Sequence, residues 1–112
     1  MIQKVIKKLD VATMQLAANQ ACALLKVLGN PDRLLLLCQL SQSEHCVSEL
    51  EELTGIKQPS LSQQLTVLRQ EQLVSTRREG KQIFYSIDSK EAMAVMNVLY
   101  AQFCAQDNGA LT

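Results

Sequence analysis

Four thiols and one imidazole are the groups in this chain that could form covalent bonds or hold a soft metal. They are Cys22, Cys38, Cys46, Cys104 and His45. A thiolate attacks sulfane sulfur or peroxide, at a rate set by its pKa and exposure. Thiolate and imidazole also bind zinc and other thiophilic ions, but a closed tetrahedral site needs four ligands. Here the cysteines are scattered and no CxxC pair occurs. His45 and Cys46 are adjacent and offer two ligands at most, so no metal site is expected. Cys38 lies within LLLLCQL, residues 34–40. It is either a small apolar packing residue or a reactive thiol. On a helix, Leu34, Leu35 and Cys38 share one face, which would largely bury Cys38 and raise its pKa.

A succession of helices must position these groups. Asp10 to about Leu28 reads as one helix, stopped by Gly29. Asn30-Pro31 is a cap followed by a proline at the first helical position, opening a second helix that ends near Ser41. Val47, Leu50 and Leu53 form a short third helix closed by Gly55. Ile56-Lys57-Gln58-Pro59 turns the chain into a fourth, with Leu61, Leu65 and Leu68 as its apolar stripe. Two strands follow, Val74 to Arg78 and Gln82 to Ile87, joined around Glu79-Gly80-Lys81. Asp88 with Glu91 resembles a capping box and opens a last helix to about Gln106. The order is ααααββα: mainly α, with a β-hairpin wing.

The 112 residues suit a single domain. Ile2, Val5, Ile6 and Leu9 at helical spacing suggest a helical start, and residues 107–112 read as a disordered tail. No apolar signal segment opens the chain and no stretch approaches membrane-spanning length. A cytoplasmic location with reduced thiols, and no membrane partner, is therefore expected. The sequence shows no Gly-rich phosphate loop, no catalytic carboxylate pair and no histidine near Cys38, so neither an enzyme nor a cofactor is expected.

Formal net charge is zero, but the charge is uneven. From Lys57 to Gln82 there are five cations, Lys57, Arg69, Arg77, Arg78 and Lys81, against Glu71 and Glu79. On the fourth helix the 100° step turns Ser60, Ser62, Gln63 and Thr66 away from the leucine stripe and leaves Gln64 at its flank. That face is polar yet nearly uncharged. Ser, Thr and Gln hydrogen-bond base edges and phosphate oxygens, and Gln bonds adenine bidentately. A short helix, a turn and this helix make a helix-turn-helix. Arg77, Arg78, Lys81 and Gln82 on the hairpin add a basic wing. Gln58, Ser60, Ser62, Gln63, Gln64, Thr66, Arg69, Arg77, Arg78, Lys81 and Gln82 are the expected contacts to double-stranded DNA. An ordinary solvated helix with a charged protective edge is the competing reading.

The segments LLKVLGNPDRLLLLCQL, VSELEELTGIKQPSLSQQLTVLRQEQLV and TRREGKQIFYSI, in this order and spacing, resemble the ArsR family of small bacterial winged-helix repressors. The likeness covers roughly residues 20–100. It implies a winged helix-turn-helix and a homodimer paired through the terminal helices, about 10–29 and 89–106. A two-fold dimer reads an inverted-repeat operator.

The family commonly senses metals, but one of its patterns, CVC, is Cys46-Val47-Ser48 here, and the last helix lacks histidine. KQIFYSI and NVLYAQFCAQ instead resemble the persulfide-sensing branch. That resemblance assigns the redox-sensing roles to Cys38 and Cys104. It implies reactive sulfur species as inducer and a sulfur bridge that releases DNA. The alternatives left open are a metal- or metalloid-responsive repressor and a peroxide-driven disulfide switch.

Overall fold

Side-chain oxygens cap the N-termini of several helices. The computed structural model describes residues 10–105. Asp10 accepts from the Thr13 amide at 2.7 Å and starts α1, Val11–Leu28. Asn30 accepts from the Arg33 amide at 3.0 Å and starts α2, Pro31–Leu40. Its first residue is proline, at a position where no amide is needed. α3, Val47–Thr54, ends on Gly55, whose φ of 77° is a left-handed conformation that a Cβ would penalise. α4, Ser60–Gln70, follows the turn in which Gln58 Oε1 accepts from the Ser62 amide at 3.0 Å. α5, Lys90–Tyr100, continues as a π-helical turn, Ala101–Ala105.

The cap of α5 is Ser89 rather than Asp88: Ser89 Oγ accepts from the Ala92 amide at 3.0 Å. Asp88 is held by the sheet side of the chain, its amide donating to the Leu73 carbonyl at 2.9 Å. The segments 1–9 and 107–112, read above as a helical start and a disordered tail, lie outside the described residues.

The hairpin strands are β2, Val74–Glu79, and β3, Gln82–Ile87, turned at Gly80. A third strand was not expected. β1, His45–Cys46, pairs antiparallel with β3 through His45↔Tyr85 and Cys46↔Phe84, giving the order β1-β3-β2. The wing is thereby stitched to the start of α3. Two residues are too few to display strand alternation, so only the pairing partner reveals them.

The core joins Leu36, Leu37 and Leu40 of α2, Leu50 of α3, and Leu61, Leu65 and Leu68 of α4 with Ala92 and Met96 of α5. This corrects the expected face of α2. Leu35 is 48% exposed, and Leu34 and Cys38 sit half-buried at the core's margin. α1 is different. Only Val27 and Leu28, at its C-terminal end, are buried, while Val11, Met14, Leu16 and Leu25 are exposed. At 18 residues and mean hydropathy 1.2 it is long and apolar enough, by length and composition, to cross a membrane. The expectation that no stretch approaches that length is corrected accordingly.

Candidate nucleic-acid interface and thiol pair

α3, the turn at 55–59 and α4 form the helix-turn-helix. Leu61, Leu65 and Leu68 anchor one face of α4, so Ser62, Gln63, Thr66 and Arg69 are exposed on the other. Ser62 and Gln63 make no side-chain hydrogen bond among the described residues and are free to meet a ligand. Thr66 Oγ1 donates to the Ser62 carbonyl at 2.8 Å. Ser60 Oγ lies 3.5 Å from Asp32 Oδ2, a weak link to α2. Gln58 is exposed, and its side-chain Oε1 is engaged by the Ser62 amide in the first turn of α4.

Gln64 departs from the expected set. It is half-buried, and its Oε1 accepts from Arg33 Nη1 at 2.9 Å. Arg33 Nε donates in turn to the Val27 carbonyl at 2.7 Å. A half-buried guanidinium needs acceptors, and these two satisfy it. Gln64 therefore faces the protein body, not the outer face of α4. Arg33 ties α2 to the end of α1 and to the middle of α4. The cue for this in the sequence was an arginine directly before the apolar run LLLLCQL.

On the wing, Arg78, Lys81 and Gln82 are exposed. Arg78 Nε donates to the Gly80 carbonyl at 3.1 Å, holding its side chain over the turn. Arg77 also departs from the expected set. Its Nη2 lies 2.6 Å from Glu44 Oε1 and its Nη1 2.9 Å from Glu79 Oε1. Its guanidinium lies over Phe84, 4.7 Å from the ring centroid. The hydrogen bonds that Arg77 donates to Glu44 and Glu79 push its own pKa up and pull that of Glu44 down. Arg77 is a paired cation rather than a free one.

The thiols divide in the same way. Cys38, near the end of α2, is half-buried, and Cys104 is exposed on the π-helical turn. Burial pushes the Cys38 thiol up. The nearby Cys104 thiol raises it further, chiefly by charge repulsion. These two cysteines are thus brought together, 66 positions apart in the chain. Cys22 is exposed on α1. Cys46 is 4% exposed, with its Sγ 3.3 Å from Ser48 Oγ. His45 Nδ1 lies 3.2 Å from Glu49 Oε1 and its Nε2 3.1 Å from Ser43 Oγ. Among the described residues no group of three or more His, Cys, Asp or Glu is placed to hold a metal ion.

Comparison with known proteins bears on the family and the scaffold. Residues 30–76 match the family described as bacterial regulatory protein, arsR family. The chain is 50% identical over 97 residues to the biofilm growth-associated repressor of Xylella fastidiosa, covering 87% of this chain and 85% of that one. It is 46% identical over 102 residues to the protein of the same name from Agrobacterium fabrum, covering 91% and 87%. The crystal structure of the transcriptional repressor BigR from Xylella fastidiosa is similar at TM-score 0.78 and 47% identity, covering 86% of this chain and 98% of that one. With this identity over most of its length, on a winged helix-turn-helix scaffold, the chain belongs to the arsR family of bacterial regulatory proteins.

Proposed function

We propose that this protein is a homodimeric repressor that lets go of an inverted-repeat operator when Cys38 and Cys104 become joined through sulfur. Its family makes it a DNA-binding transcriptional regulator and not an enzyme. The names of its relatives support repression. The observation that carries the switch is the thiol pair: Cys104 neighbours Cys38 closely enough to influence its ionisation.

The chemistry balances with an inorganic polysulfide as the inducer. The exposed Cys104 thiolate attacks a terminal sulfane sulfur. One S–S bond of the polysulfide breaks, and the shortened polysulfide leaves with the electron pair. Cys38 takes up a sulfur in the same way. The terminal sulfur of one persulfide then attacks the inner sulfur of the other and expels hydrosulfide, leaving a three-sulfur bridge. A direct disulfide demands Cα atoms within about 7 Å, whereas a longer sulfur bridge spans a wider gap.

Dimerisation through the terminal helices is supported by their exposed apolar surface. Leu16 and Leu25 on α1 are 59% and 60% exposed, and Phe103 beside Cys104 is 70% exposed. The coupling runs through α2. Cys38 lies towards one end of that ten-residue helix, and Arg33, towards the other, holds Gln64 of α4. Bridging Cys38 to the end of α5 shifts α2 and, through Arg33, the reading helix. Shifts of about 1–2 Å are a known scale for such switches. The cytoplasm, where thiols stay reduced, is the compartment that suits this device.

Ser62 and Gln63 read base edges, while Arg78 and Lys81 hold the backbone. Gln63→Ala is expected to weaken specific binding by about 1–3 kcal/mol and to leave nonspecific binding unchanged. Arg78→Ala is expected to weaken all binding and to flatten the slope of log K against log salt by about one. Titrations at several salt concentrations separate the two.

Intact-mass and peptide mapping after polysulfide treatment, with peroxide in parallel, tests the switch. A Cys38–Cys104 link carrying extra sulfur is expected. An unmodified Cys38 under both treatments would make it a packing residue and turn attention to metals at Cys46.

A further inference from the structure

The shortest ion pair among the described residues, Glu44 with Arg77, plays no part in the proposed switch. Arg77 Nε lies 3.0 Å from each carboxylate oxygen of Glu44, and Nη2 lies 2.6 Å from Oε1. Glu44 directly precedes β1. Arg77 lies on β2, opposite Phe84 of β3. Because the strand order is β1-β3-β2, the arginine reaches over the Phe84 ring to a carboxylate on the far side of the central strand. Glu79 holds the remaining Nη1. The result is a strap across all three strands, anchored on the loop that leads into the helix-turn-helix.

We propose that Glu44, an acidic residue, promotes DNA binding by positioning the wing. It holds Arg77 across the sheet and so fixes where the hairpin tip presents Arg78 and Lys81. The inference rests on the reading of that tip as a DNA contact. Single exposed ion pairs contribute little, but a two-oxygen guanidinium contact inside a network, stacked on an aromatic ring, is the exception.

The sign of the effect makes the strap testable. Near a polyanion, removing a carboxylate should strengthen binding if Arg77 is a masked phosphate contact. If Glu44 is a strut, removing it should weaken binding. The test uses the reduced full-length protein and a duplex selected by it from a random library, titrated at several salt concentrations. Glu44→Gln is expected to lower affinity ~3–10-fold with no change in salt slope. Arg77→Gln should lose as much, and the double variant no more than either. Arg77→Lys keeps the charge but loses the planar fork, so it should lose as much as Arg77→Gln.

Tighter or unchanged binding by Glu44→Gln would overturn the proposal. So would full affinity in Arg77→Lys, or a slope flattened by about one in Arg77→Gln. Failure of the underlying reading looks different: the wild type selects no duplex, or Arg78→Ala leaves the salt slope untouched.

Discussion

Cys38→Ser is expected to bind operator within ~2–3-fold of wild type, the scale of a near-isosteric change at a half-buried site. It should also be insensitive to polysulfide. A serine hydroxyl is not a nucleophile towards sulfane sulfur at neutral pH, so the bridge cannot form. In the wild type, bridged and reduced forms should differ in operator affinity by about 5–150-fold, the usual range of an allosteric coupling of 1–3 kcal/mol. In Cys38→Ser that ratio should fall to one. Cys104→Ser should behave identically, because each thiol is half of the bridge. Cys22→Ser and Cys46→Ser should keep the wild-type ratio. The reaction also carries a pH signature. Burial and the neighbouring Cys104 raise the Cys38 pKa, so its thiolate becomes abundant only above the ordinary thiol range. Sulfur capture at Cys38 should therefore accelerate with rising pH and do so later than at an unperturbed thiol. Rapid-quench mass spectrometry across pH reads this directly.

Leu65→Ala is expected to cost about 2–5 kcal/mol of folding stability, the range for deleting a buried leucine side chain. Leu65 is 1% exposed at the centre of the α4 stripe, with Leu61 and Leu68 one turn either side. Domains of this size have only about 5–15 kcal/mol to lose, so the variant should approach marginal stability. Urea denaturation at fixed protein concentration should show a lower midpoint with an unchanged slope. Gln63, two positions earlier on the exposed face of the same helix, supplies the contrast. Its alanine variant should fall within about 0.5 kcal/mol of wild type in stability while losing specific DNA binding.

Much of this molecule was readable from residue type and spacing. Asn30-Pro31 marked the start of α2 and Gly55 the end of α3. Leu61, Leu65 and Leu68 oriented α4 correctly, and with it the exposed Ser62 and Gln63. The resemblance to the ArsR family is borne out by 50% identity to a repressor over most of the chain. The orientation of α2 was not readable. Four successive leucines, Leu34 to Leu37, span the whole circumference of a helix, so periodicity cannot choose the buried side. Tertiary contacts chose Leu36, Leu37 and Leu40, and left Cys38 at the margin. Nor could charge alone say which cations are free. Arg77 and Arg78 are adjacent in sequence and point to opposite sides of β2. One finds Glu44 across the sheet, and the other remains at the solvent-facing tip. Gln64, at the flank of the leucine stripe, was counted among the DNA contacts, but Arg33, 31 positions earlier, claimed its oxygen. Periodicity says nothing of the meeting of Cys38 with Cys104. Only the family resemblance pointed to it.

The thiol switch is tested most directly by an operator titration of one protein preparation in two states, reduced and polysulfide-treated, at the same salt concentration. The expected result is at least a ~5-fold loss of affinity on treatment, reversed by a thiol reductant and absent in Cys38→Ser. Equal operator affinity for the reduced and the Cys38–Cys104-bridged protein would contradict it.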